Sequence, residues 1–216
     1  MTGPRHFWLL ADRYWALAHD EYSGRARLHP GALGLGLAGC LLGELVVASW
    51  LRVAGGGLHH GPYEGVPAEP LQRSLYQLVC READGQPLDL WLRALAPQTA
   101  DWVASRAEAQ GLCRREPRRV GLLRRPAWQI RPVDATTAAY VSVVLRTGIA
   151  SPHLMDQDDI TLLGMAMATE LAGPVVLWDD EQPPQAVPQL LARLEHGLGA
   201  LIAHTEAVIG HAVMTH

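Results

Sequence analysis

The chain contains no lysine, and all eighteen of its basic residues are arginines. Any cationic site must therefore use guanidinium groups, which bind phosphate through a planar fork of N–H donors. Arginine as the sole basic residue, together with abundant Ala, Leu and Gly, is typical of a GC-rich genome. Charged residues make up only 19% of the chain and apolar residues 49%, a balance that indicates a folded globular protein and excludes wholesale disorder.

Cysteine is also scarce. Cys40, Cys80 and Cys113 are an odd number without C-x-x-C spacing, which excludes a disulfide scaffold and a zinc site of paired cysteines and favours a reducing compartment. The first residues lack the basic region, apolar run and cleavage site of a signal peptide. We therefore predict a cytoplasmic protein, with peripheral attachment at the inner membrane face as the membrane-bound alternative.

Recognisable catalytic motifs are missing as well. No serine lies in G-x-S-x-G, and no cysteine has the context of a nucleophile. The aspartates of "HLMDQDD" do not follow the pattern of a calcium loop, and Asp156 or Asp158 is expected to cap a helix instead. The sequence predicts a protein that is not an enzyme and that binds neither a metal nor a cofactor.

One glycine pattern resembles a nucleotide-binding turn. "GLGLAG" at residues 34–39 fits G-x-G-x-x-G, which needs a preceding strand and an acidic residue about 20 positions later to bind ribose. Pro30 and Gly31 interrupt any strand, and no acidic residue lies between Glu44 and Glu64. We therefore interpret these glycines as helix-packing positions.

The hydrophobic periodicity predicts a mainly α fold. We expect a single helical domain over residues 1–216, with a buried apolar central helix and one arginine-rich β-hairpin. Residues 33–51 carry a single charge, Glu44, and are interpreted as a core helix more readily than as a membrane span. The predicted helices are 6–19, 32–52, 70–80, 87–95, 98–110, 135–147, 157–172 and 187–213.

Basic charge is concentrated in one segment. Residues 112–133 hold seven arginines and one glutamate, so the segment carries about +6 in a chain of net charge −4. The pattern predicts a β-hairpin at about 118–132, with strands at 120–124 and 128–132 around Arg125-Pro126. The guanidinium groups of such a cluster repel one another unless anions or a partner's carboxylates balance their charge. Phosphate groups of lipids or of nucleic acid are suitable anions. The predicted anionic-surface or oligomer contacts are Arg114, Arg115, Arg118, Arg119, Arg124 and Arg125.

Three segments together resemble the Golgi phosphoprotein 3 family, and specifically its bacterial, actinobacterial-type members. They are "FWLLADRYWALAHDEYSGRARL", the central "ALGLGLAGCLLGELVVASWLRV", and a helix ending at Gly111 that an arginine-rich hairpin follows. The resemblance implies a helical fold whose central helix packs through its glycines. It also implies a non-enzymatic peripheral membrane adaptor that binds phosphatidylinositol 4-phosphate, takes protein clients and associates through its hairpin.

The resemblance further implies a lipid-headgroup site. The family uses a tryptophan nine residues before an arginine that precedes Gly-Cys, and two arginines three apart on the helix that ends at the glycine turn. This chain has His29, Ala38, Pro97 and Ala100 at those positions. Candidate headgroup residues that remain are Arg27, His29, Arg93 and Arg106.

Three functions follow as hypotheses. The first is binding of anionic phospholipid headgroups at a membrane surface, with a lipid different from that of the Golgi. The second is a winged-helix-like nucleic-acid binder using residues 98–110 and the hairpin, which is disfavoured because Arg106 is the only cation on that helix. The third is a structural oligomer joined through the hairpins.

Overall fold

A computed structural model of the chain describes residues 8–120, 125–133, 135–176, 184–195 and 197–214. The mainly helical fold predicted from the sequence is confirmed. Two small antiparallel sheets accompany the helices. The helices are α1 (Leu10–Ala18), α2 (Pro30–Val47), α3 (Pro70–Val79), α4 (Leu88–Ala109), α5 (Ala135–Ala150), α6 (Gln157–Ala168), α7 (Ala172–Val176), α8 (Ala186–Leu191) and α9 (Leu198–Met214), with a 3-10 turn at Pro152–Leu154. The strands are β1 (Leu51–Ala54), β2 (Gly57–His60), β3 (Gln86–Pro87), β4 (Cys113–Val120) and β5 (Arg125–Pro132).

Helix α2 lies at the centre of the fold, as predicted. Every residue from Leu33 to Val46 is buried, and α1, α4, α6 and α9 pack around it. Among the described residues, α2 is the one helix long and apolar enough to cross a membrane, and 78% of it is buried inside the fold. This burial is that of a core helix.

The glycines of "GLGLAG" allow neighbouring helices to approach α2 closely. A methyl group at Gly34 would collide with the backbone carbonyl of Ala96 in α4, and one at Gly36 with the Tyr14 hydroxyl in α1. At Gly39 the same methyl group would lie 2.9 Å from the Thr205 hydroxyl in α9. The glycines are therefore packing residues, as interpreted from the sequence.

Helices α2 and α4 run in the same direction along a shared interface. Near the start of α2, the Thr99 hydroxyl donates to the Gly34 carbonyl at 2.9 Å. Ten residues further along α2, Arg106 contacts Glu44. Helix α4 is continuous, and the prediction of two helices separated near Pro97 is wrong. Proline in a helix costs about 3 kcal/mol, and burial of Leu92, Leu95, Thr99 and Val103 along α4 offsets that cost.

A small three-stranded sheet was not predicted from the sequence. It has the order β1-β2-β3, with Leu51 paired to His60 and Leu58 paired to Gln86. Gly55 and Gly56, which follow the predicted end of the central helix at residue 52, form the β1–β2 turn, where they have φ of 57° and 74°. This is the left-handed region that glycine adopts readily. His59 and His60 lie in β2.

The arginine-rich hairpin is confirmed, with different bounds. Strand β4 begins at Cys113, and its register pairs Arg114 with Arg131 and Val120 with Arg125. The predicted turn at Arg125-Pro126 is therefore wrong, since both residues lie in β5. Residues 121–124, which belong to the first predicted strand, lie outside the described residues.

The last part of the chain also differs from the prediction. Residues 187–213 form two helices, α8 and α9, separated by a turn at Gly197, whose φ is 81°. Helix α5 continues through Gly148 to Ala150, three residues beyond its predicted end. The predicted cap of α6 is confirmed, because the Asp156 side chain accepts from the Asp159 N–H at 2.8 Å.

Candidate anion-binding surface

The candidate headgroup residues do not lie together. His29 is the N-cap of α2, and its Nδ1 accepts a hydrogen bond from the Gly31 N–H. Arg93 is exposed on α4. Because α2 and α4 are parallel and Thr99 of α4 contacts Gly34 of α2, the first turns of both helices, and with them His29 and Arg93, lie at the same end of the helix pair. Arg106 lies thirteen residues further along α4, a distance of about 20 Å. The structure therefore brings His29 and Arg93 to one end of the helix pair and Arg106 to the other.

Arg27 already has carboxylate partners. It lies in the exposed segment between α1 and α2, where its guanidinium forms an ion pair with Glu21 at 2.6 Å and a longer one with Asp20 at 3.5 Å. All three side chains are about one-third exposed, so these pairs are weak in water. An external anion would have to compete with both carboxylates for this arginine.

Arg106 is part of the core. It is 7% exposed, and each of its three guanidinium nitrogens is bonded to a carboxylate. Nε donates to Asp12 at 2.8 Å, and the two Nη atoms donate to Glu44 at 3.0 and 2.9 Å. Glu69, the N-cap of α3, lies 3.8 Å away. We therefore leave Arg106 out of the proposed headgroup contact.

Glu44 is the centre of this buried network. Besides the two bonds from Arg106, it accepts from the Ala11 N–H at the start of α1, at 2.8 Å, and from the Gln72 amide of α3 at 3.0 Å. Buried charges are stable only when they are paired and hydrogen-bonded, and Glu44 meets both conditions. The network connects α1, α2, α3 and α4 at one point.

The buried network also perturbs Asp12. Burial raises the pKa of the Asp12 carboxyl to about 6, the neighbouring Glu44 adds to the rise, and Arg106 opposes it. Sequence reasoning did not predict this cluster. The one sequence feature that indicated the cluster was Glu44, because a single carboxylate in an otherwise apolar helix requires a cationic partner.

The base of the hairpin is fixed to α4 by alternate residues of β4. The Cys113 thiol lies 3.7 Å from the Ala104 carbonyl. The guanidinium of Arg115 donates to the Ser105 hydroxyl at 2.6 Å and forms an ion pair with Glu108 at 3.1 Å. Cys113 and Arg115 therefore define the face of the hairpin that is directed toward α4.

The opposite face of the hairpin is rich in arginine. Successive residues of a strand point to opposite sides, so the even-numbered residues of β4 belong to the face directed away from α4. Arg114, Glu116 and Arg131 are exposed there, and Arg131 forms an ion pair with Glu116 at 3.2 Å. Arg114, Glu116 and Arg131 are its charged residues among those whose side chains the structure describes, and we call them the outer face of the hairpin.

The other arginines predicted for this contact are not described in their side chains. Arg118, Arg119 and Arg125 lie in β4 and β5 by the register, with side chains outside the described part of the chain, and Arg124 lies outside the described residues. The outer face therefore carries Arg114 and Arg131 against Glu116, in a chain whose total charge is −4. Such local concentration of positive charge raises the concentration of anions at the surface.

The family's headgroup positions do not supply this charge. Ala38 is fully buried in α2, whereas Pro97 is exposed and Ala100 partly buried on α4. Among the described residues, no group of three or more His, Cys, Asp or Glu side chains could hold a metal ion.

The model of the Golgi phosphoprotein 3 (GPP34) family matches residues 10–208, which is nearly the whole chain. The match spans the elements described above from α1 into α9. No curated protein gives a significant match. On the extent of the family match, together with the central apolar helix and the arginine-rich hairpin, the chain belongs to the Golgi phosphoprotein 3 (GPP34) family.

Proposed function

We propose that this chain is a non-enzymatic peripheral membrane protein that binds anionic phospholipid surfaces through the outer face of its hairpin. The observation that carries the proposal is the pairing of Arg114 with Arg131 on the exposed side of β4 and β5. Two arginines directly opposite each other repel, and the neighbouring Glu116 forms an ion pair with Arg131 alone. Phosphate groups bound between them would remove that repulsion.

The outer face fits a lipid surface in charge and in shape. Each arginine near an anionic leaflet contributes about 1 kcal/mol of attraction, so Arg114 and Arg131, with the other arginines that the sequence of residues 112–133 carries, suffice for weak, reversible binding. The hairpin pairs with no other strand among the described residues, and its outer face is directed away from the helices. A two-stranded ribbon in this position can contact a membrane while the helical domain stays in solution.

The lipid of the Golgi members is not part of the proposal. Their phosphatidylinositol 4-phosphate site is implied by resemblance, and this chain has Ala38, Pro97 and Ala100 where three of its arginines would stand. We propose a general preference for anionic headgroups such as phosphatidylglycerol or cardiolipin. Arg93 is exposed without an ion-pair partner among the described residues, and with His29 it is the second proposed headgroup contact.

Nucleic-acid binding is less well supported. In a winged-helix arrangement the second half of α4 would be the recognition helix and would need exposed cations. Its charged exposed residues are Asp101 and Glu108, and Arg106 is buried. Both carboxylates would repel a phosphate backbone.

Vesicle sedimentation tests the membrane proposal. The wild-type chain should sediment with vesicles containing 30% phosphatidylglycerol and remain in solution with pure phosphatidylcholine. Binding should weaken at least tenfold between 50 and 300 mM salt, since surface charge pairs are screened. The double variant Arg114→Glu/Arg131→Glu, which reverses both arginines of the outer face, should stay in solution.

The matched control is Arg52→Glu/Arg146→Glu. It makes the same change in net charge on two exposed arginines of β1 and α5, and it should bind vesicles nearly as well as the wild type. Equal losses in both double variants would indicate a non-specific effect of net charge. Failure of the wild type to bind any anionic vesicle would refute the membrane function. Tighter, salt-sensitive binding to duplex DNA would favour the nucleic-acid alternative.

A further inference from the structure

The two arginines on the outer face of the hairpin differ in their partners. Arg114 of β4 and Arg131 of β5 are direct cross-strand partners, so their Cβ atoms lie about 4.5–5.5 Å apart on one face. The guanidinium of Arg131 forms an ion pair with Glu116 at 3.2 Å. The Arg114 side chain forms no ion pair or hydrogen bond with a described residue. One cation is therefore balanced within the chain, and the other is available to a ligand.

Glu116 holds Arg131 only weakly. The two side chains are 53% and 46% exposed, and ion pairs in such positions contribute little because water screens them. Glu116 is paired with Gln129 in the register, so on the outer face it lies diagonal to Arg131 rather than opposite it. A ligand with more negative charge than one carboxylate can therefore displace Glu116 and bind both arginines.

The charge of the arginine pair matches that of a phosphomonoester. A phosphomonoester carries about −1.5 to −2 at pH 7 and presents three terminal oxygens, whereas a phosphodiester carries a single negative charge on two terminal oxygens. Each guanidinium binds phosphate oxygens through a fork of N–H donors. A phosphomonoester therefore has enough charge and enough oxygens to bind Arg114 and Arg131 together. A phosphodiester balances one arginine and leaves the other to Glu116.

An apolar residue borders the arginine pair on the side nearer the helices. The backbone N–H of Val133 donates to the Leu112 carbonyl at 3.0 Å, which continues the pairing of the two strands by one position. Val133 therefore belongs by alternation to the same face as Arg131, and its side chain is 46% exposed. An exposed apolar side chain beside two guanidinium groups suits a phosphate that is attached to a lipid.

We propose that Arg114 and Arg131 form a clamp that selects phosphomonoester headgroups, such as that of phosphatidic acid, over phosphodiester headgroups. Glu116 is the internal competitor that the headgroup displaces. The proposal rests on the membrane function proposed above and assigns a preferred headgroup class within its general preference for anionic lipids. It uses none of the family's headgroup positions.

Two lipids that differ by one methyl group test the clamp. Phosphatidic acid is compared with phosphatidylmethanol, its methyl phosphodiester, in phosphatidylcholine vesicles with the same acyl chains and matched surface charge. The wild type should sediment with the phosphatidic acid vesicles at about tenfold lower lipid concentration, because only the phosphomonoester binds both arginines. Arg114→Gln and Arg131→Gln should each bring the ratio of the two affinities close to one, since a single guanidinium can balance only one charge.

The variant Glu116→Gln tests the competitor. It removes the carboxylate from the outer face and should strengthen binding to both kinds of vesicle by up to about fivefold, the range expected for an exposed ion pair. The matched control Glu206→Gln makes the same charge change on an exposed residue of α9. Arg146→Gln, on an exposed residue of α5, is the control for the arginine variants. Both controls should keep the wild-type ratio, and thermal melting of every variant should match the wild type.

A soluble ligand separates the phosphate contact from the membrane contact. Glycerol 3-phosphate carries the phosphomonoester of phosphatidic acid without the acyl chains. In an NMR titration of the full chain, the Nε–H signals of Arg114 and Arg131 should shift together. The affinity should be lower than for vesicles, because the apolar contact at Val133 and the other arginines of the lipid surface are not used.

Several results would overturn the clamp. Equal affinity of the wild type for the two vesicle types would do so and would leave the membrane function standing. A preference that survives Arg131→Gln would place the selectivity elsewhere, and weaker binding of Glu116→Gln would make Glu116 a residue that positions Arg131. A wild type that binds neither vesicle type would refute the membrane function. In that case a joint shift of both arginine signals with glycerol 3-phosphate would still support the clamp, and the absence of a shift would refute it too.

Discussion

The guanidinium of Arg106 donates two hydrogen bonds, of 3.0 and 2.9 Å, to the carboxylate of Glu44 inside the core. The two residues lie on parallel helices, and their side chains are 5% and 2% exposed. Because Asp12 binds the third guanidinium nitrogen, one arginine pairs with carboxylates from both α1 and α2. The network therefore connects α1, α2 and α4 in the core.

Removing Arg106 should destabilise the fold severely. Arg106→Met leaves Asp12 and Glu44 buried without a cation, and breaking a buried ion pair in this way costs about 3–5 kcal/mol. We expect the free energy of unfolding in urea to fall by that amount. The control Arg93→Met removes an exposed arginine from the same helix and should change it by less than about 0.5 kcal/mol. Similar losses in the two variants would contradict the assignment of Arg106 to the core.

Asp12 should make the protein more stable in mild acid. Its pKa is raised to about 6, chiefly by burial, so the folded state binds a proton more tightly than the unfolded state does. This contribution is full below pH 4 and is lost as the pH rises through 6, with a size of about 3 kcal/mol. The difference in unfolding free energy between wild type and Asp12→Asn should therefore change across pH 4–6. A pH-independent difference would show that Asp12 does not titrate there.

The titration of His19 should change stability with pH in the direction opposite to that of Asp12. Burial lowers the pKa of His19 to about 4, the Trp15 carbonyl opposes this shift, and Arg27 adds to it. The ring stacks on Trp15 with centroids 4.2 Å apart, and its Nδ1 donates to the Trp15 carbonyl at 2.7 Å. The folded state therefore takes up the proton less readily, and stability is lost as the pH falls from 6.5 toward 4.

The variant His19→Gln tests this contribution. It removes the titrating ring, so its unfolding free energy should fall less between pH 6.5 and 4 than that of the wild type, by up to about 3 kcal/mol. Since His19 and Asp12 have opposite signs in the same window, the wild-type profile should be shallow. A steeper acid loss in His19→Gln than in the wild type would contradict the buried, uncharged state of this ring.

Features encoded by neighbouring residues could be predicted from the sequence. The central helix follows from an apolar run with a single charge, and the end of α4 follows from Gly111, whose φ of 73° suits glycine. The cap at Asp156 and the arginine-rich hairpin also depend on local patterns. In each case the signal lies within a few residues of the structure that it specifies.

Features that depend on distant contacts could not be predicted. The strands of the small sheet are four, four and two residues long, too short for an alternating pattern to appear. The break expected at Pro97 is absent because α4 packs on α2 along its length. Arg106 is 62 residues from Glu44 and 94 from Asp12 in sequence, so its burial could not be deduced from its own segment.

Close packing at Gly34 gives the sharpest test of the central helix. In Gly34→Ala the new methyl group would collide with the backbone carbonyl of Ala96, which cannot move without displacing α4. We expect destabilisation of several kcal/mol, at or above the usual range of about 1–3 kcal/mol for overpacking.

The control Gly210→Ala places a methyl group in α9 with no described atom within 4 Å. It should stabilise the protein by about 0.5–1 kcal/mol, because alanine is the better helix former. A fall in melting temperature for Gly34→Ala together with a rise for Gly210→Ala would establish that contact with α4, rather than helix propensity, requires glycine at position 34. A stabilising Gly34→Ala would refute the close approach of the two helices.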